Sequence, residues 1–433
     1  MKKKILVCLE QLGIGGVETF VYNQVLSFIN KNYDVYILAK KGIYSKKMEK
    51  LGVKLFEFDY VIENKYDWKK IEKISKIIKD NNISEVHIHQ YSCVPYVLPA
   101  VVNNDVPYVS YVHSIIKGTF KWFIDHYEIY RDLFKLYFSK ANKIIAITKS
   151  VQSEVSDFFD IPKKNILVIN NCLYFEKLND DFINNKNKII LVSRLSKEKE
   201  KSIINGIKLY EKYANINNEA TLTIIGDGEI RNKIEKYVSK GKFNNSIKFL
   251  GAVNNVSDYM NKCDIVIGVD RCILEAIAHK RIAIISGYNY LNGIVTKNNI
   301  KMALEENFSG NNLEESKTED IINELNNIDY KKITEYNYNY IIDRLDINKQ
   351  DFTTENKDNN YLNLDLLFKI HSNFLDKYND NLRLDKEKYD IGQEKLRLQQ
   401  SISNLISDSE ELKAIKNSRS WKLLSKLKKV IKK

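Results

Sequence analysis

Two cations follow the apolar run 189–192 in the stretch Val192-Ser193-Arg194-Leu195-Ser196-Lys197-Glu198-Lys199. A guanidinium fork at Arg194 and an ammonium at Lys199, placed beyond the carboxyl end of a buried strand, can grip a diphosphate. Open α/β sheets collect their ligands at that end. The same stretch also fits a solvated helix start, because Lys197, Glu198, Glu200 and Lys201 crowd one turn. A second candidate is the loop Gly13-Ile14-Gly15-Gly16-Val17-Glu18-Thr19, between an expected strand and an expected helix. Glycines there let a ligand approach the backbone, and free N–H groups at a helix start favour an anion. It is not a dinucleotide fingerprint, since Glu18 stands where a third glycine is required and the second strand ends in Ala39-Lys40 with no acid for a ribose. A tight turn without a ligand remains the other reading.

Further candidates sit at other strand ends. Glu275 follows the apolar segment 265–268 and is read as starting the helix Glu-Ala-Ile-Ala-His-Lys-Arg; its two oxygens can accept both hydroxyls of a ribose. A helix-terminal acid favoured by the dipole would look the same. Gly268, Asp270 and Arg271 occupy the short connection before it. Gly226-Asp227-Gly228-Glu229 gives a glycine turn after the run 222–225, and Phe249-Leu250-Gly251 precedes Ala252 and Val253. Gly287 and the segment 291–296 read as another flexible loop. Among six histidines, His113 is the first polar side chain after 108–112 and belongs at a cleft rim. His89 ends the strand around 86–88, while His87 points into packing or solvent. No spacing of His, Cys and acid resembles a metal site, and no D-x-D pair follows a strand, so the chemistry is expected to proceed without metal.

The elements needed to position these residues are legible as two alternations. Apolar runs at 5–9, 35–39, 55–58, 86–88, 108–112 and 144–148 alternate with amphipathic stretches, which implies a parallel sheet wrapped by helices. Val17, Phe20, Val21, Gln24, Val25 and Phe28 recur at helical spacing on one face. After the polar linker 181–188, runs at 189–192, 222–225, 247–250, 264–268 and 282–285 repeat the pattern, with helices near 201–214, 229–239, 255–262 and 272–279. Two doubly wound domains leave a cleft between their carboxyl-end loops. We divide the chain into domains 1–183 and 184–345 and a helical extension 346–433. Residues 310–360 carry helical patches, and from Leu362 glycine and proline are absent except for Gly392.

Several of these motifs, in this order, resemble the nucleotide-sugar glycosyltransferases of family 4. They are the Gly13–Thr19 loop with its helix, the strand followed by R-L-x-x-E-K, and Ile273-Leu274-Glu275-Ala276. The resemblance covers about residues 1–300 and implies a GT-B fold, α/β with two Rossmann-like domains facing a cleft. It implies transfer of a sugar from a nucleoside diphosphate with retention at the anomeric carbon. Arg194, Lys199 and His113 take the catalytic positions. Gly15, Gly16, Gly226, Asp227, Gly228, Val253, Asp270, Arg271 and Glu275 take donor-binding ones, and His89 a sugar or acceptor contact. The nucleotide sugar is then co-substrate, and no other cofactor is called for. One departure stands out: family members carry a further Glu eight positions before Glu275, where this chain has Ile267. A degenerate, non-catalytic scaffold is therefore kept as the alternative.

Bulk properties narrow the partners. The net charge is +12, but residues 419–433 hold seven Lys or Arg and no acid, so the remainder argues weakly for a nucleic-acid surface. That tail places Trp421, Leu424, Leu427, Val430 and Ile431 near one helical face. A basic amphipathic helix of this kind suits an anionic membrane surface, and a coiled-coil end or partner helix fits it equally. S-R-S-W-K-L is similar to tails of bacterial transferases that build surface polysaccharides, which implies a membrane-proximal or lipid-linked acceptor. Five scattered cysteines, Cys8, Cys93, Cys172, Cys263 and Cys272, are expected to be reduced core thiols of a cytoplasmic protein, peripheral on the inner face of the membrane. No run reaches the ~18 to 20 apolar residues of a membrane span.

Overall fold

The computed structural model describes residues 2–61, 68–114, 127–175, 186–253 and 255–354, with the side chains of 127–131 left out, and isolated helical positions between 369 and 400. The positions from 371 onward belong to a separate unit. The first sheet has the order β3-β2-β1-β4-β5-β6-β7. Its strands are β1 (Lys4–Gln11), β2 (Asp34–Lys40), β3 (Lys54–Glu57), β4 (Glu85–Ile88), β5 (Tyr108–Val112), β6 (Lys143–Ala146) and β7 (Ile166–Val168). All neighbours pair in parallel. The seventh strand is only Ile-Leu-Val, too short to stand out as a periodic run, and sequence reading missed it.

The second sheet runs β10-β9-β8-β11-β12-β13. Its strands are β8 (Lys188–Val192), β9 (Thr221–Ile225), β10 (Ile247–Gly251), β11 (Ile265–Gly268), β12 (Ile282–Ser286) and β13 (Leu291–Ile294). Pairing is parallel except for β12 with β13, which is antiparallel. The segment 291–296, expected to be a flexible loop, is thus largely an edge strand. Asn292 fixes it by donating from Nδ2 to the carbonyls of Gly310, Leu313 and Glu314.

These residues form parallel sheets because their strands are apolar on both faces, as sheets covered by helices require. Ile5, Leu6, Val7, Cys8 and Leu9 are all fully buried, and so are Ile265 and Val266. The helix Glu200–Ala214 lies close on β8 and β11 because Gly206 lacks a Cβ, which would meet Leu191 and Ile267. Each sheet reverses its strand order at one point, between β1 and β4 in the first and between β8 and β11 in the second. Ligand sites of such sheets form outside the carboxyl ends at that reversal.

The stretch 346–354, assigned from sequence to the helical extension, instead returns to the first sheet. After the helix Tyr330–Leu345, the amide of Leu173 donates to the Leu345 carbonyl and that of Ile347 to the Leu173 carbonyl, each at 2.9 Å. Ile347 and Phe352 are fully buried in the core of the first domain. Lys143 pairs with Asp351 at 3.0 Å. The polarity of 346–351 hid two large apolar anchors spaced five residues apart. All five cysteines are free and buried. Among the described residues no helix is long and apolar enough to cross a membrane.

Candidate active site

At the reversal of the second sheet, the loop after β8 and the turn after β11 bring three cations together with three acids. Arg194 donates from Nη2 to Glu198 at 2.6 Å, an exposed pair four residues apart in sequence. The side chain of Lys199 is only 14% accessible. Its Nζ donates to Asp270 Oδ2 at 3.0 Å. The Tyr288 hydroxyl donates to the same oxygen at 2.8 Å, and its ring lies under the Lys199 ammonium. Asp270 holds this position in a left-handed backbone conformation, φ 62°, that non-glycine residues adopt only under local constraint. Arg271 opens the helix Arg271–Ala278 and donates from Nε to Glu275 Oε1 at 2.9 Å. Glu275 therefore lies in the second turn of that helix and does not start it, as sequence reading had it.

Gly226 and Gly228 are explained by the chain itself. Both have positive φ, 136° and 155°, and a Cβ on either would run into the carbonyls of Ser193 and Leu195. The glycines let the loop after β9 press against the segment carrying Arg194. The backbone bonds Ser193 N to Ile225 O and Leu195 N to Asp227 O, at 3.0 and 2.9 Å, hold the two together. Asp227 pairs with Arg231 at 2.8 Å. Val253 is partly buried against the apolar core of the second domain.

The ends of the first sheet are different in kind. Period-two alternation puts Glu85, His87 and His89 on one face of β4, next to Tyr111 and His113 on and beyond β5. The fully buried Glu85 carboxylate meets His87 Nε2 at 2.7 Å, Lys3 Nζ at 2.8 Å and the Thr354 hydroxyl at 2.6 Å. Burial alone would raise its pKa; His87, Lys3 and Thr354 together outweigh that and hold it below the usual carboxylate range. His87 Nδ1 shares a hydrogen with the Tyr111 hydroxyl at 2.8 Å, and Gln24 donates to that hydroxyl at 2.7 Å. His89 stacks on the Tyr111 ring with centroids 4.0 Å apart, and its Nδ1 lies 3.0 Å from His113 Nε2. Burial and then the nearby Arg271 charge lower His113 to about 3, and burial lowers His89 as well, so both rings are neutral near pH 7. His89 is buried beneath His113, which keeps part of its own surface open.

The glycine loop behaves as a close-approach site at one of its two positions. A Cβ at Gly15 would strike the Glu18 carboxylate, whereas a Cβ at Gly16 would meet no protein atom. Glu18 folds back on its own helix start, and burial raises its pKa. The two domains also touch each other directly. Asn307 donates from Nδ2 to the Ile147 carbonyl at 2.9 Å and accepts from the Asn171 amide at 3.1 Å.

Residues 14–176 match the family described as Glycosyltransferase Family 4, and residues 176–339 match the one described as Glycosyl transferases group 1. The two matches follow one another along most of the 433 residues. This chain belongs to the family 4 type of glycosyltransferase. A curated relative is the N-acetylgalactosamine-N,N'-diacetylbacillosaminyl-diphospho-undecaprenol 4-alpha-N-acetylgalactosaminyltransferase of Campylobacter jejuni, 24% identical over 156 residues. That match spans 34% of this chain and 41% of the relative, less than half the relative's length. Among solved structures, a glycosyltransferase from Rickettsia africae superposes with a TM-score of 0.56 at 17% identity, covering 86% of this chain and 99% of the other. Anabaena HepE, solved with UDP and glucose, gives 0.59 at 15% identity, covering 80% and 96%. These likenesses fix the fold as GT-B.

In this glycosyltransferase the expected residues assemble as two groups, Arg194, Lys199, Asp270, Arg271 and Glu275 on one domain, and Gly16, His89 and His113 on the other. The non-catalytic scaffold finds no support in the family assignment. Ile267 has a structural explanation: it lies within β11, buried against Gly206, because the connection to Glu275 is too short to leave a loop at that position. Sequence reading did not foresee the ion pairs of Lys199 with Asp270 and of Arg271 with Glu275, nor the buried Glu85. The second was available as an i, i+4 spacing on a helix. The 419–433 tail lies outside the described residues. Among the described residues no group of three or more His, Cys, Asp or Glu is placed to hold a metal.

Proposed function

We propose that this glycosyltransferase moves a sugar from a nucleoside diphosphate to a glycan or lipid-linked acceptor in surface-glycoconjugate synthesis, with retention at the anomeric carbon and without a metal. The observation that carries the reading is the mostly buried Lys199 at the reversal of the second sheet, held by Asp270 and Tyr288 with ammonium hydrogens to spare. As the bond to the leaving diphosphate breaks, negative charge grows on its oxygens. A cation already fixed in place stabilises that charge more in the transition state than before it, with little reorganisation. Arg194 adds a second cation once it leaves Glu198, and backbone N–H groups near Gly16 add dipoles. The Glu275 oxygen that Arg271 leaves unused accepts from the ribose, while Gly15, Gly226, Asp227, Gly228 and Val253 border the nucleotide. Neutral His113 contacts the sugar as donor or acceptor, and His89 fixes its orientation from below.

The substrate class is supported by the bound UDP and glucose of Anabaena HepE and by the diphospho-undecaprenol named for the Campylobacter relative. The basic 419–433 tail suits an anionic membrane surface, and we place the protein on the cytoplasmic face as a peripheral partner of that surface. A panel of nucleoside diphosphates and their sugars, screened by thermal shift with and without EDTA, tests the reading. One nucleotide class is expected to raise the melting temperature in both conditions. No shift with any of them would count against it.

A further inference from the structure

Arg271 is the cation in this site whose chemistry is incomplete. Its side chain is 11% exposed, and Nε is committed to Glu275 Oε1 at 2.9 Å. Both terminal nitrogens, Nη1 and Nη2, are buried and have no hydrogen-bond partner among the described residues. Arg194 and Lys199 also give a hydrogen to an acid, but neither carries a buried nitrogen without a partner among the described residues. A guanidinium cannot shed its charge, and leaving buried N–H groups on it unmet is costly. The fork formed by Nη1 and Nη2 matches two oxygens of a carboxylate or phosphate.

Position adds to this. Arg271 directly follows Asp270, whose backbone at φ 62° is held by the Lys199 ion pair and by its amide bond to the Phe308 carbonyl at 3.0 Å. Its charge reaches across the domains, where it acts on both His113 and Cys172. We propose that the Nη1/Nη2 fork of Arg271 binds an oxyanion of the substrate, either the donor diphosphate or a carboxylate carried by the transferred sugar. The proposal rests on the transferase reading and deepens it by naming the group that the unpaired Arg271 fork meets. A carboxylate source would make this enzyme selective for an acidic sugar.

The test uses the full chain as wild type, Arg271→Gln and Arg271→Lys, with thermal melts showing that each variant folds. Binding of UDP, GDP, dTDP, ADP and CDP is measured by calorimetry, together with the glucose and glucuronic acid conjugates of whichever nucleotide binds. For Arg271→Gln the expected loss in affinity is about 10- to 100-fold, the range for a charged hydrogen-bond pair. A loss shared by the bare nucleotide and both conjugates assigns the fork to the diphosphate; a loss confined to the glucuronic acid conjugate assigns it to the sugar. Arg271→Lys keeps the charge without the fork and is expected to recover only part of the affinity. Equal binding by wild type and Arg271→Gln for every ligand overturns the proposal and leaves the transferase reading standing. If no nucleotide binds wild type, both fall.

Discussion

The carboxyl ends of the two sheets face related tasks with opposite materials. The first presents a largely buried stack of rings, His87, Tyr111, His89 and His113, rooted on one buried carboxylate, Glu85. The second presents cations matched with acids along two short turns. Neutral groups with fixed orientation suit hydroxyls, whose hydrogen bonds need direction more than charge. Charges that are pre-placed but not exhausted suit a leaving group that becomes more negative as the reaction proceeds. The asymmetry of the fold's two halves is therefore chemical, although both are doubly wound parallel sheets.

The first way to break this comparison is at its root. Glu85→Ala leaves Lys3, His87 and Thr354 without their shared acceptor in a fully buried place, and we expect a loss of about 3 to 5 kcal/mol, read by denaturant unfolding. On the second sheet the corresponding weak point is backbone packing. Gly226→Ala drives a Cβ into the Ser193 carbonyl at φ 136°, and should cost about 2 to 3 kcal/mol while displacing Arg194. An Arg194-dependent activity that survived this change would show that the two loops are not coupled.

Acid titration separates the halves in another way. His113 is lowered to about 3 and His89 also lies below its ordinary value, so the folded chain keeps both neutral while the unfolded chain takes up protons below about pH 6.5. Their contribution to stability is thus complete above pH 6.5 and is lost as the pH falls toward 3, at no more than about 1.4 kcal/mol per pH unit for each ring. In His113→Gln the slope between pH 6 and 4 should be shallower. The smallest effect is expected at Glu198→Gln, because the exposed Arg194 pair contributes under about 1 kcal/mol. Its stability should match wild type within error, and a larger change would mean that the pair does more than hold Arg194 aside.

Much of this was readable in the chain. Apolar runs gave eleven of the thirteen strands among the described residues, because parallel strands covered on both sides are continuous in hydrophobicity. The two that escaped, β7 and β13, are short and lie at sheet edges, where three or four residues carry no period. Candidate residues were found where a polar or glycine residue interrupts a buried run, as at Arg194, Gly226, Glu275 and His113. What sequence could not supply was pairing. Whether Lys199 faces water or Asp270 depends on two loops 71 residues apart, and no local pattern encodes that contact. The return of Phe352 to the first core escaped for the same reason, since its partners lie hundreds of residues earlier.

The central claim is that a pre-placed Lys199 stabilises the departing diphosphate. Once a donor has been identified, diphosphate release by wild type and by Lys199→Ala at saturating donor tests it most directly. Turnover should fall by roughly 100-fold or more in a variant that is still folded at the assay temperature, although loss of the Asp270 pair lowers its melting temperature. Near-normal turnover in the variant would contradict the account.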